Sequence, residues 1–476
     1  MVLSPERTST TSTDTAAAAT GSGHDAGAAL SIDPVAPEAR RLGSIDIGIL
    51  WGDLAAGVLV VAAGAILVGR PDQGGLGMAT APALTAIALG SVLGAVLLGL
   101  VAVAGFERAV PTMVLLRPVL GRRGSYLPSL LNVLQLLGWT AFEFWAIALF
   151  VDRVASGVFH VEAFHATVVI VAIAGTAMAL AGPATVINRW LKPVALWITL
   201  AAAAWLTVHL LRQPRAVTSV PGGTPFGPGL DLVIALPVSW LPLIMDYNRF
   251  ASSRARSLIG TVAGYTIGNA WCYGLGVLLV IAGGLGDPSP GGIAASLLGI
   301  SSLAVVGVIL IIVLIAGETD EPFADIYSAA LSTLNLWPSL PRRSVVVVIG
   351  AIAAAIAEVV TVGDYQTFLL LLGSVFVPLF AVVLAAWATG ELRMDRSEAS
   401  WRWTPVVAWG LGFITYQWLV PTGPAWWVDW VTRSVPRAGS MATLGASIPS
   451  FSLTFVLACC LAIAVRRRSG GRAGAR

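Results

Sequence analysis

Apolar runs of about 20 residues, each long enough to cross a hydrocarbon core of about 30 Å, recur along the whole chain, separated by short polar, Pro- or Gly-rich breaks. These windows predict twelve helices, at roughly 47–69, 83–105, 127–151, 165–184, 190–210, 229–250, 258–285, 299–333, 344–362, 367–389, 403–420 and 449–465. The first 40 residues lack such a run and are rich in Ser, Thr, Ala and Gly, which predicts a disordered tail and no cleaved signal. The expected fold class is an all-α polytopic membrane protein.

The basic residues give an independent count of the spans. Of the 28 Lys and Arg, 22 fall in the two tails or in loops after even-numbered spans; six (Arg70, Arg153, Arg212, Arg215, Arg433 and Arg437) fall after odd-numbered ones. A missed or invented span would reverse the parity of every later loop. The positive-inside bias therefore supports twelve spans with both termini cytoplasmic, in a plasma (inner) membrane. Trp426, Trp427 and Trp430, after the eleventh span, fit an interfacial anchor at the outer face.

Composition agrees: 57% of the 476 residues are hydrophobic and 11% charged, against about 25% charged in soluble domains. Net charge is +3, and no basic run outside the tails suggests a nucleic-acid partner. Cys272, Cys459 and Cys460 match neither a zinc spacing nor a disulfide framework. There is no G-x-S-x-G, H-E-x-x-H or P-loop, and His24, His160, His165 and His209 do not cluster in a span, which argues against an intramembrane enzyme or a fused ATPase.

The informative positions are polar groups inside the spans. The first span, IDIGILWGDLAAGVLVVAAGAIL, carries Asp53 among Gly48, Gly52 and Gly57. The sixth, DLVIALPVSWLPLIMDYNRF, brackets Ser239 and Trp240 with Pro237 and Pro242, each of which removes an N–H and frees a carbonyl. Interruptions at matching places in two halves point to a transporter binding site. In the third span Gln135, Trp139 and Glu143 repeat at i, i+4 and i+8 on one face. Such a face could stack a planar heterocycle while its polar edges find partners. In the eighth, AGETDEPFAD places Glu318, Glu321 and Asp325 on one face with Ser328 and Ser332. Either these acids lie in the membrane, where carboxylates are functional by default, or the helix ends near Ile315 and they begin a loop.

Three stretches resemble the purine–cytosine permease family, the nucleobase–cation symporters: GFERAVPTMVLLRPVLGRRGSYLPSLLNVLQLLGWTAFE, PVSWLPLIMDYNRFA and ETDEPFADIYSAALS. In flavour they look like its cytosine and hydroxymethylpyrimidine branch, and the resemblance runs from about residue 44 to the tenth span. It implies two inverted five-helix repeats, about 44–215 and 225–392, within a transport core of 44–392. The first and sixth spans would be broken, two accessory helices would fill 393–465, and a basic tail would follow from 466. Alternating access coupled to Na⁺ or H⁺, with no other cofactor, comes with it.

The resemblance also assigns roles by position. The stacking tryptophan of the third span falls on Trp139, with Gln135 and Glu143 at the places of substrate-contacting amides. The aromatic of the sixth span is assigned to Trp240, beside Ser239, although the family register points three residues earlier, at Pro237. The cation-binding positions fall on Ala316, Thr319 and Asp320, completed by the break at Asp53 to Gly57, and substrate-contacting asparagines fall on Glu321 and Asp325. Carboxylates only accept hydrogen bonds, so the substitutions favour an aminopyrimidine edge over an oxo-rich ring. Purine, hydantoin or amino-acid transport on the same fold, and a cation channel, are the alternatives.

Overall fold

The computed structural model describes residues 31–213, 224–299, 318, 321–360, 365–394, 399–436 and 438–473. The described residues are helical apart from loops and one isolated bridge between Leu42 and Ala251. Among the described residues, eight helices and one bent pair are long and apolar enough to cross a membrane. Glu321–Leu336, Arg342–Ala357 and Trp403–Leu419 complete the expected order of twelve at the eighth, ninth and eleventh positions.

The first span is the bent pair, Ser44–Asp53 and Val58–Val68, which turn by 59°. The first helix of the pair stops after Leu54 N bonds Leu50 O, and a tight turn, Ala56 N to Asp53 O at 2.8 Å, redirects the chain. Gly57 then starts the second helix of the pair, its carbonyl accepting from both Val60 and Val61. The sixth span runs Phe226–Ser239, tightens to a 3₁₀ turn at Leu241–Leu243, and resumes as Ile244–Asn248. It is interrupted where the two prolines predict, but without the sharp bend of the first span.

Two expectations need correction. The fourth helix ends at Ala181 and the next begins at once at Pro183, running to Leu211, so the loop expected near 185–189 is helical. Proline suits a first helical position, and the wide turns over Ile187–Ala195 absorb the missing N–H of Pro193. The stretch before the eighth span also contains a separate helix, Pro290–Gly299. The early part of the predicted eighth span, including Ala316, Thr319 and Asp320, lies outside the described residues. Glu318 and the whole of Glu321–Asp325 are buried, so the acids of AGETDEPFAD that are described sit inside the bundle and not in an exposed loop.

Packing sorts the spans into two groups. The seventh (Arg254–Ile281) lies against both halves of the first and against the second (Thr80–Gly105), which also packs on the sixth. The third (Tyr126–Val154) and fourth (Phe164–Ala181) pack against the eighth and ninth. Exchanging each span for the one five later preserves this pattern. First-on-seventh becomes sixth-on-second, and fourth-on-eighth becomes ninth-on-third. The tenth (Tyr365–Ala388), eleventh and twelfth (Ser447–Ala473) pack on one another, and the tenth joins them to the sixth. Close approach of the first and seventh spans depends on small residues: a Cβ on Gly52 would stand 3.3 Å from Gly264 O.

The loops after the second, sixth, eighth and tenth spans meet at one end. Arg108 donates to Leu392 O and Met394 O, Arg117 to Asn335 Oδ1, and Arg254 pairs with Glu107. Arg402 donates to Pro118 O and to Glu391. The N-terminal stretch lies there too, with Val35 N on Ala109 O and Leu42 N on Phe250 O. These loops therefore share one face of the protein. After the eleventh span the tryptophan-rich stretch forms a helix, Ala425–Ser434, on which Trp426 and Trp430 are exposed.

Candidate functional site

Between the two groups, level with the break in the first span, lies a small buried cavity. Its wall is Trp139 and Glu143 from the third span, Ser239 and Trp240 from the sixth, and Glu321 and Asp325 from the eighth, over Leu54, Leu59, Val60, Leu136 and Leu236. It encloses about 20 Å³, room for about one water, so a heterocycle requires the two groups to separate.

Each side chain arrives for a local reason. Trp139 and Glu143 are one turn apart on a regular helix. The Trp139 ring meets Phe368 edge-on at 5.3 Å. Trp240 sits at the start of the 3₁₀ turn and meets Trp51 edge-on at 5.9 Å. That turn moves the Leu243 N–H onto Trp240 O, and the Ser239 carbonyl takes its hydrogen bond from Gln135 Nε2, 3.0 Å away. Gln135 also holds Asn132 Oδ1 at 2.8 Å, and Asn132 reaches Ser332 Oγ at 2.8 Å. Gln135 therefore stands behind the cavity wall, satisfying the interruption of the sixth span, and is not itself part of the lining.

The acids converge on the break. Glu318 Oε1 accepts from Val58 N, the first N–H of the second half of the first span. A Cβ at Gly57 would fall 3.0 Å from Glu318 Oε1 and nearer still to Glu321 Oε1. Glu143 lies within hydrogen-bonding reach of Glu321. Asp325 is 2% exposed, and its Oδ2 has no hydrogen-bond partner among the described residues. Asp53 is buried on the far side of the break, lining a separate crevice of about 320 Å³ between the first, fifth and seventh spans.

The cavity is reached unequally from the two ends. Towards the end poor in basic residues, Leu59 is shared with a larger cavity of about 330 Å³ lined by Gln73, Phe142, Trp145, Asp287 and Gln366. Towards the basic end the sixth and eighth spans are sealed together. Tyr247 OH donates to Ala324 O at 2.8 Å, and the fully buried Arg249 donates to Tyr327 OH at 2.9 Å and to Ser31 O at 2.7 Å.

The chain matches the family described as permeases for cytosine/purines, uracil, thiamine and allantoin over residues 34–395. It belongs to that family. Among curated proteins, a purine-uracil permease of Arabidopsis thaliana is 24% identical over 252 residues, taking in 48% of this chain and 41% of the plant protein. The chain thus spans about two-fifths of the length of this curated relative. Among solved structures, a nucleobase-cation-symport-1 family transporter, Mhp1, in a closed conformation with bromovinylhydantoin bound is similar. Its TM-score is 0.73 at 17% identity, over 92% of this chain and 94% of that one. A Na⁺-coupled sialic acid symporter, in a substrate-bound outward-open state, is similar with a TM-score of 0.54 at 12% identity, over 93% and 94%. The fold of this permease-family chain is the one those transporters share.

Trp51, Phe368 and Glu318 join the predicted residues around the cavity. Trp51 is a single aromatic in an apolar run with no polar neighbour at helical spacing, and Phe368 stands at the start of the apolar run FLLLL, so neither is distinguished from core by the sequence. Glu318 was visible as one of several acids, but its partner on the first span is 260 residues away.

Proposed function

We propose that this permease-family chain is a secondary active transporter. It imports a nucleobase-like aminopyrimidine, cytosine or hydroxymethylpyrimidine, by symport with Na⁺ or H⁺, through alternating access in the plasma (inner) membrane with both termini cytoplasmic. One observation carries this reading: two tryptophans and three carboxyls from the third, sixth and eighth spans meet in one cavity beside the break in the first. The indoles supply faces for a flat ring. The carboxyls accept from an edge rich in N–H groups and offer nothing to a ring edge of carbonyls.

Transport follows from how the cavity is divided. Trp240 and Ser239 belong to one packing group, and Trp139, Glu143, Glu321 and Asp325 to the other. Cargo held between them is released when the groups part at the basic end, which breaks the Tyr247–Ala324 and Arg249–Tyr327 contacts. Asp53, near the break, supplies the place assigned to the coupling cation, together with Ala316, Thr319 and Asp320, which lie outside the described residues.

Thermal unfolding of the purified protein tests the reading against cytosine, hydroxymethylpyrimidine, uracil, hypoxanthine and hydantoin, each with and without Na⁺. Binding to the folded state raises the midpoint by mass action. An aminopyrimidine is expected to give the largest rise, and Trp139→Ala to abolish it. A rise with hypoxanthine or hydantoin alone moves the assignment to those cargoes, and no rise with any ring refutes the heterocycle site.

A further inference from the structure

We propose that residues 31–43 form a strap that positions Arg249 in the seal at the basic end. The strap lines no part of the cavity, yet it sets how readily that end opens. The proposal rests on the reading of the basic end as the side of release and names a further element of its closure.

The first ground is the aim of the Arg249 guanidinium. This group is planar, with its N–H donors in a rigid fork, so holding two of its nitrogens sets the direction of the third. Nη2 donates to Tyr327 OH at 2.9 Å, the contact that crosses from one packing group to the other. Nε donates to Asp246 O, three residues back, at 3.3 Å. Nη1 donates to Ser31 O at 2.7 Å. The shorter of these two anchors therefore comes from the strap, 218 residues away in the chain. Arg249 is fully buried, where an N–H without an acceptor is costly. Withdrawing Ser31 O favours turning the guanidinium to a new partner, away from Tyr327.

The second ground is that the strap is a built element. At one end Leu42, 7% exposed, bridges to Ala251. Leu42 N donates to Phe250 O at 3.0 Å, and Ser252 N and Oγ donate to Leu42 O at 2.9 and 3.0 Å. At the other end the buried Val35 donates through its N to Ala109 O at 2.9 Å. Ala109 has φ 48°, a left-handed conformation that alanine adopts at a cost and that persists where its surroundings fix it. Between the anchors Arg40 lies over the Phe106 ring, 5.4 Å from its centroid, and donates to Val35 O at 3.3 Å. Ser31 Oγ donates to Asp33 Oδ2 at 2.6 Å and accepts from Asp33 N at 3.0 Å, which orders the residue whose carbonyl Arg249 uses. Pro34 and Pro37 restrict the strap before it folds. These anchors all follow the second or sixth span, in the group that carries Arg249. A strap fastened to one group does not itself bar the other; it acts by aiming Arg249 across.

The test follows the reaction of a cysteine introduced by Ser328→Cys with a membrane-impermeant maleimide applied from the basic end. The full-length protein is used in membrane vesicles, with Cys272, Cys459 and Cys460 replaced by alanine. Ser328 is buried at the seal, its Oγ 3.3 Å from Tyr247 OH. Val35→Asp puts a charge into the buried anchor of the strap, outside the cavity wall. It is expected to speed labelling at least about tenfold, the shift given by losing one hydrogen bond to a charged group. Tyr327→Phe should do the same. The double variant should label no faster than the faster single one, because both act through one bond. If Val35→Asp does not fold, Val35→Ala takes its place, with a smaller rise of about threefold for its weaker loss of packing. Fast labelling in Tyr327→Phe with an unaltered rate in the Val35 variant overturns the strap and leaves the seal standing. Effects that multiply in the double variant also overturn it, since the strap would then act elsewhere than through Arg249. Unaltered rates in both single variants overturn the seal and the strap together.

Discussion

Val58 N donates a hydrogen bond to Glu318 Oε1 across the break in the first span. A carboxyl of the eighth span thereby caps the second half of the first, where the helix dipole favours negative charge. This contact ties the two packing groups together at the level of the cavity.

The cap should be separable from the charge. Glu318→Gln keeps an oxygen that accepts from Val58 N, whereas Glu318→Ala leaves that buried donor unpaired. The alanine variant should be less stable than the glutamine variant by about 1–3 kcal/mol, compared by thermal unfolding in one detergent. Equal stabilities would show that the bond contributes nothing.

Gly57 has extended backbone, φ −114°, that any residue adopts; only space is at stake. A Cβ there would displace the carboxyl ends of Glu321 and Glu318, which are flexible enough to move. Gly57→Ala should fold with ordinary yield yet lose at least about 1.4 kcal/mol of cargo affinity, a factor of ten. Undiminished cargo binding by calorimetry would contradict the placement of these acids.

The seal at the basic end makes a kinetic prediction. Tyr327→Phe removes one of the acceptors of Arg249, which also donates to Ser31 O and Asp246 O. The lost bond is one to a charged group, worth about 1.5–3 kcal/mol, and packing is left intact. The protein should shift toward opening at that end, and a cysteine introduced at Ser328 should react faster with a membrane-impermeant maleimide applied from there. Unchanged labelling would remove Arg249–Tyr327 from the gate.

Asp231 accepts from Ser447 N at 2.9 Å and from Ala446 N, fastening the start of the twelfth span to the sixth. Losing such a cap costs about 1–2 kcal/mol. Asp231→Ala should therefore lower the unfolding midpoint with little effect on cargo affinity, and a selective loss of affinity would place Asp231 in the transport cycle.

Much of this was legible in the sequence where the signal is local. Trp139 and Glu143 announce themselves by helical spacing, Trp240 by its two prolines, and the span order by apolar length and the placement of Arg and Lys. What escaped depends on tertiary neighbours. Trp51 reads as an apolar position until Trp240, Tyr247 and Tyr265 are seen around it. Gln135 repeats on the same face as Trp139, yet the carbonyl freed in the sixth span draws it behind the wall. The helix Pro290–Gly299 contains two adjacent glycines, poor helix formers by propensity, and packs against the third span and the second half of the first. The fifth span begins at Pro183 because proline opens a helix as readily as it ends one.

Uptake into proteoliposomes tests the central claim most directly. Purified protein is reconstituted, and entry of radiolabelled cytosine and hydroxymethylpyrimidine is followed under an inward Na⁺ gradient, an inward H⁺ gradient, and neither. Cation-coupled symport predicts saturable accumulation of one aminopyrimidine above equilibrium under one gradient, lost in Trp139→Ala. Uptake that never exceeds equilibrium under either gradient would contradict it.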